Sequence, residues 1–167
     1  RDKPAAVPVI LQHPIYPVCY DGPDGENRVV GVAATDAMDQ KADFSSYGFK
    51  CIDVSAPGVS IYGTTVYSPK HSIGGELFDR NYDGWGSGTS FAVPIISGVL
   101  ALIEAANPSL NRSQVVNILL NTADNTNRLN PTYLNQLGRG RVNAMAAVDA
   151  AAGQLINQQE KLIISPK

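Results

Sequence analysis

The run Gly86-Ser87-Gly88-Thr89-Ser90-Phe91-Ala92-Val93-Pro94 opens directly into an apolar stretch that continues to Ala106. Phe91 to Ala106 has the length and character of a helix, and a helix that is apolar nearly all round belongs inside a domain. The loop in front of it has the opposite character. Gly86 and Gly88 carry no Cβ, so a neighbouring backbone can approach them closely. The hydroxyl of Ser90 is thereby delivered to the start of a buried helix. The first turn of a helix presents N–H groups without intrahelical partners and the positive end of the peptide dipoles. Both would stabilise an oxyanion forming beside Ser90, so the arrangement suits a nucleophile. Taken alone it suits a plain helix cap just as well, the ordinary use of serine at this position. Pro94 falls near the first turn, where a missing N–H costs little.

Upstream, Ala6 to Leu11, Arg28 to Ala33 and Cys51 to Ser55 are short apolar runs bounded by Pro, Gly and Asp, the pattern of buried parallel strands. Ser60 to Thr65 adds a fourth candidate, and the turn cluster Tyr20-Asp21-Gly22-Pro23-Asp24-Gly25 separates the first two. From Val66 to Trp85 the pattern dissolves into Gly, Pro, Ser, Asp and Tyr and reads as a loop leading into Ser90. Two further helices follow the first. One starts at Asn111, with Gln114 completing a capping-box variant and Val115, Ile118 and Leu119 on one face. The other is capped by Asn143, is alanine-rich to Ala152 and ends at Gly153. Residues 1–153 form the domain portion and 154–167 a polar tail or connection. The fold class is α/β.

With 44% hydrophobic and 17% charged residues the chain is globular, and its net charge of −2 gives no footprint for nucleic acid. The apolar core of the first helix, Val93 to Ile103, is too short for a bilayer and contains Pro94 and Gly98. Cys19 and Cys51 lack the spacing of a zinc site. A bridge between them, if their segments pack, and two buried thiols are both open readings. Asp36, Asp39 and Asp43 show no regular calcium-ligand spacing and read as a solvated acidic turn. No metal or cofactor is expected, structural calcium being unreadable from this chain. Asn111-Arg112-Ser113 matches a glycosylation acceptor, although capping already accounts for the asparagine. A lipase-type Gly-x-Ser-x-Gly is excluded because Ala92 stands at the second glycine. A phosphate-binding loop is excluded because no Lys-Ser/Thr follows Gly88.

The serine run resembles the nucleophile motif of the subtilisin-like proteases, Gly-Thr-Ser-x-Ala-x-Pro followed by a small pair, here Ser97-Gly98. Arg28 to Asp36 resembles a core strand of that family and its exit. Asp43-Phe44-Ser45-Ser46-Tyr47-Gly48, Ile52-Asp53-Val54-Ser55-Ala56-Pro57-Gly58 and Gly138-Arg139-Gly140-Arg141-Val142-Asn143-Ala144 are similar to three further family blocks, in the expected order. Phe91, Val93, Ile95 and Ile96 depart from the family's usual Met, Ser, His and Val. The resemblance implies the C-terminal part of a three-layer domain, a mostly parallel sheet flanked by helices. It implies a secreted endopeptidase acting on polypeptide through Ser90, with Trp85, Ser87, Gly88 and Thr89 against the substrate. Secretion favours a Cys19–Cys51 bridge. Trp85 as a wall of the cleft and Trp85 as a shield for loop backbone both fit its place. Tyr47 reads as core cover ahead of a substrate contact.

The family's catalytic residues come in the order Asp, His, Ser, and only the serine's block is present. Neither His13 nor His71 lies in a His-Gly-Thr segment, and no Ala-Gly-Asn segment supplies an oxyanion asparagine. Asp36, His71 and Ser90 have the right types and order, but nothing around the first two resembles the family. Without a base, a serine hydroxyl is a weak nucleophile. The expectation is therefore a partner, the N-terminal half of the same catalytic domain, and a chain that is inactive alone. The reading from another class is a non-catalytic binding or structural module on the same scaffold.

Overall fold

The computed structural model describes residues 14–20, 27–73 and 76–164. The strand expected at Ala6 to Leu11 and most of the turn after Tyr20 lie outside them. At the centre are two parallel strands, β1 (Val32–Thr35) and β2 (Val54–Pro57), paired Val32 to Val54 through Thr35 to Pro57. Both begin a few residues later than the apolar runs suggest. β2 is paired on its far side as well, because Ser55 N–H donates to Gly140 O and Val142 N–H to Ser55 O, each at 2.8 Å.

One face of this pair carries the main core. Val32, Ala34, Val54 and Ala56 meet Ala92, Ile96, Val99 and Ile103 of α1 (Thr89–Ala106), Val115, Ile118 and Leu119 of α2 (Arg112–Asn121), and Ala147 and Ala151 of α3 (Ala144–Ile164). Full burial of each valine or isoleucine contributes about 1.5–3 kcal/mol. The small residues on the strands let α1 lie close over them. The opposite face holds a smaller cluster, Ala33, Cys51, Ile52 and Leu137, with Cys19, Tyr47 and Tyr133 against it. Cys19 and Cys51 form a disulfide there.

α1 is not buried all round. Its buried residues follow the 4-3-4 spacing of a single stripe, and Phe91, Val93 and Leu102 on the flanks of that stripe are 41, 45 and 52% exposed. Glycine 98 likewise faces open space. By length and composition α1 is sufficient to cross a membrane, contrary to the sequence expectation, yet it packs on β1, β2, α2 and α3. Its C-terminal end is fixed by buried Asn107, whose amide donates to Ala151 O at 3.1 Å and whose Oδ1 accepts from the N–H and hydroxyl of Ser109.

The capping box at Asn111 forms in both directions, Gln114 N–H to Asn111 Oδ1 at 3.0 Å and Asn111 N–H to Gln114 Oε1 at 2.8 Å. Asn143 caps α3 by accepting from Ala146 N–H at 3.0 Å. α3 does not end at Gly153 but runs to Ile164, so residues 154–164 are helix and not a polar tail. One glycine costs a helix only about 1 kcal/mol, and the Gln, Leu, Glu and Lys around it are good helix formers. Nor is 66–85 a loop. It contains β4 (Ser68–Ile73), β5 (Glu76–Phe78) and β6 (Tyr82–Gly86), with β4 pairing antiparallel to β5 and β6 to β3 (Ile61–Thr64). Aromatic residues favour strands, and a proline such as Pro69 is tolerated in an edge strand. Breaks in register interrupt both ladders, which hides the period-2 alternation from the sequence.

The acidic turn is wired into the fold. Asp36 Oδ1 accepts from Met38 and Gln40 N–H at 2.9 Å each, Asp39 pairs with Arg141 Nε at 2.8 Å, and Arg141 also bonds Asp124. Beside it Lys41 is buried, its ammonium donating to Ala42 O at 2.8 Å. The same group lies 5.3 Å from the Tyr47 ring centre and 4.8 Å from that of Tyr133. Tyr47 thus covers the core, packed edge-on against Tyr133.

Loss of solvation lowers the Lys41 ammonium below its ordinary value of 10.5, and neighbouring Asp43 opposes that shift. The unfolded chain then binds this proton more tightly, so stability rises as pH climbs towards 10.5 and levels off above it. Denaturant unfolding of wild type and Lys41→Met across that range should show the rise in wild type alone.

Candidate active site

Ser90 is the second residue of α1 and is exposed. Its hydroxyl makes no hydrogen bond with a described residue. The N-cap is Gly88, in extended backbone at φ 164° and ψ 156°, and no side chain caps the helix. Phe91 N–H donates to Gly88 O at 3.0 Å, while the N–H of Ser90 has neither a side-chain cap nor a backbone acceptor among the described residues, as an oxyanion donor beside the hydroxyl requires. Pro94 stands beyond the first turn, four residues after Ser90. The α-helical bond it cannot make is the one to Ser90 O, so the proline frees the serine's own carbonyl.

The approach to Ser90 is built from close backbone contacts. Gly88 N–H donates to Gly58 O at 2.8 Å, and Ser60 N–H donates to Ser87 Oγ at 2.9 Å. A Cβ on Gly58 would lie 2.7 Å from Ala34 Cβ and 2.9 Å from Gly88 O. Gly86 lies on the Phe91 ring, where a Cβ would come within 2.3 Å. The turn after β2 and the loop after β6 are thus pressed together where only glycine fits, and α1 starts immediately behind.

Of the other expected substrate-facing residues, Thr89 opens α1 and is half-buried, and Ser87 is exposed with its oxygen already accepting from Ser60. Trp85 is in β6, close in sequence to Ser90, and its side chain lies outside what is described. Gly58, Ser60 and Phe91 are parts of the site that sequence reading missed. Pro57-Gly58 reads as a strand stop, and the left-handed backbone of Ser60, φ 55°, leaves no signature in a serine.

The triad that can be assembled from this chain does not form. His71 Nδ1 shares a hydrogen bond with Ser68 Oγ at 2.7 Å on its own strand, and Asp36 closes its turn. Neither bonds Ser90. Among the described residues no group of three His, Cys, Asp or Glu side chains is placed to hold a metal. An open hollow of about 450 Å³ lined by Phe49, Asn125, Asn135 and Arg139 lies near Asp53, just before β2. That is the end of the strand remote from Gly58 and Ser90.

The late glycine turn explains its own composition. Gly138 has φ 71° and Gly140 φ 135°, and a Cβ on them would strike the Asp53 and Asp124 backbones at 2.1 and 2.0 Å. This seats residues 140–142 beside β2.

Parallel strands roofed by a helix, with a serine exposed at the helix start, define an α/β protein whose candidate site lies at the head of α1. The chain belongs to the subtilase family, whose model matches residues 16–140. It is 36% identical over 135 residues to an extracellular basic protease of Dichelobacter nodosus, covering 78% of this chain and 21% of that protein. Subtilisin DY of Bacillus licheniformis is 36% identical over 132 residues, 79% of this chain and 39% of its own length. A protease structure from Pseudoalteromonas arctica superposes with a TM-score of 0.59 at 31% identity, over 78% of this chain and 38% of that one. The chain thus spans well under half the length of these relatives. The fold is that of part of a subtilisin-like α/β domain, and the relatives are proteases.

Gly58→Ala should cost about 1–3 kcal/mol in denaturant unfolding, as overpacking does. Gly98→Ala, at a position open to solvent, should leave stability unchanged or raise it by up to about 1 kcal/mol.

Proposed function

We propose that Ser90 is the nucleophile of a secreted subtilisin-like serine endopeptidase whose remaining catalytic groups lie in polypeptide outside this chain. Ser90 Oγ attacks the carbonyl carbon of a peptide bond, the C–N bond breaks, and the amine leaves with a proton. Water then hydrolyses the acyl-enzyme. A histidine from the N-terminal half of the domain accepts the Ser90 proton and passes it to the leaving amine. An aspartate from that half orients the histidine, and an asparagine adds a second oxyanion donor to the N–H of Ser90. No cofactor is required.

The observation that carries this reading is the exposed hydroxyl of Ser90, without a hydrogen-bond partner among the described residues, at the start of α1 where no side chain caps the helix. The outward face of α1, with Pro94, Gly98, Ala101 and Ala105 exposed on it between the flanking Val93 and Leu102, supports the N-terminal half as its cover, since an apolar helix surface is stable only when buried. β3 and β6 form a two-stranded sheet among the described residues, which leaves strand edges for an extended polypeptide near Ser90, where Trp85, Gly88 and Thr89 would meet it. The Cys19–Cys51 bridge and the extracellular relative support an extracytoplasmic location. With His71 held by Ser68, no histidine among the described residues serves Ser90 as a base, which supports a chain that is inert alone.

A fluorophosphonate label tests this directly. The full-length gene product should label at Ser90, Ser90→Ala should abolish labelling, and the isolated chain should remain unlabelled. A full-length protein that does not label, or labels equally after Ser90→Ala, would make the chain a non-catalytic module on the protease scaffold.

A further inference from the structure

The two bonds that join the turn after β2 to the loop after β6 differ in kind. The bond from Gly88 N–H to Gly58 O is wholly backbone, whereas the one from Ser60 N–H to Ser87 Oγ depends on a side chain. Both lie at the base of the β3–β6 hairpin, directly below the pair Ile61 to Gly86. Ser60 is the last residue before β3 and Ser87 the first after β6. The serine hydroxyl therefore adds one more rung to the ladder, between the hairpin and the glycine that starts α1.

Two features show that this rung is built in and not incidental. Ser60 holds a left-handed backbone, φ 55°, a conformation that costs a non-glycine residue about 1 kcal/mol or more, and its N–H points at Ser87 in that conformation. Gly88 also needs a restraint, because a glycine in extended backbone has the widest conformational freedom of any residue. Without the Ser87 rung, the only described backbone bond holding the loop between β6 and α1 to the β2 turn is Gly88 N–H to Gly58 O.

We infer that Ser87 is a positioning residue for the nucleophile: its hydroxyl, by accepting from Ser60 N–H, fixes the loop that sets where Ser90 Oγ and the Ser90 N–H point. This rests on the reading of Ser90 as nucleophile and changes the role expected of Ser87, from substrate contact to alignment. A misplacement of about 1 Å can cost a reaction up to about a hundredfold. The loss of one of two rungs should cost less, about tenfold.

The test uses the full-length protein as wild type, Ser87→Ala and Ser87→Thr, assayed on one peptide substrate and with a fluorophosphonate. Ser87→Ala should lower kcat about tenfold, leave KM within about twofold, and slow labelling of Ser90 in parallel with kcat. Amide exchange at Ser60 should quicken in the same variant. Ser87→Thr, which keeps the oxygen, should restore all three. A raised KM with unchanged kcat would make Ser87 a substrate contact and overturn the proposal, as would unchanged kinetics. A Ser87→Ala protein that melts below the assay temperature would assign the hydroxyl a purely structural role and also overturn it. Failure of wild type to label removes the nucleophile itself, which separates that outcome from a failure of the alignment role.

Discussion

The contact between Gly58 and Gly88 is the constraint on which the rest of the structure depends. At this point the turn leaving the central strands touches the loop entering α1, closely enough that a methyl group on Gly58 would lie 2.9 Å from Gly88 O. A loop this short between a hairpin and a helix can take many directions. Pressing it against the end of β2 leaves one. The start of α1 is then placed over the carboxyl ends of the parallel strands, where open α/β sheets present their ligands.

From that point the packing follows in sequence. Ala92 falls over the small strand residues, and Ile96, Val99 and Ile103 continue along the same stripe into the helical layer. Asn107 ties the end of the helix to α3, and Asn143 begins α3 right after the segment that flanks β2. Polar wiring thus sits at the ends of elements and apolar contact along them. A buried polar group left unpaired costs about 1–3 kcal/mol, which makes each such junction specific as well as stabilising. The outward face of α1 keeps proline, glycine and alanine in the open, with valine and leucine on its two flanks, a surface shaped for protein and not for water.

What the residues disclosed beforehand was chemistry with a local cause. Asn111 with Gln114 and Asn143 before an alanine run each act through atoms within a few residues, so their capping roles survive being read in one dimension. The glycines of the 138–144 block were legible because positive φ and absent space restrict the choice to that residue. Features that depend on distant partners were not legible. Nothing in Ser60 announces a left-handed backbone, and nothing in Ser87 announces a partner across the base of a hairpin. The strands between Ser68 and Gly86 escaped notice because register breaks interrupt the alternation by which strands are recognised. Burial of α1 was overestimated because composition reports how apolar a helix is, not how many of its sides are covered. The end of α3 was misplaced for a related reason: Gly153 has the residue type of a helix terminator but sits in a segment whose other members favour helix.

The site joins these levels. Small residues permit the close approach, the approach orients the helix start, and the helix start offers N–H groups next to an exposed hydroxyl. The most direct measurement of this account is a crystal structure of the full-length protein after reaction with a fluorophosphonate. It should show phosphorus bonded to Ser90 Oγ and one phosphoryl oxygen at about 2.7–3.1 Å from the Ser90 N–H, with Gly88 still bonded to Gly58. An adduct on another residue, or a phosphoryl oxygen directed away from the start of α1, would contradict it.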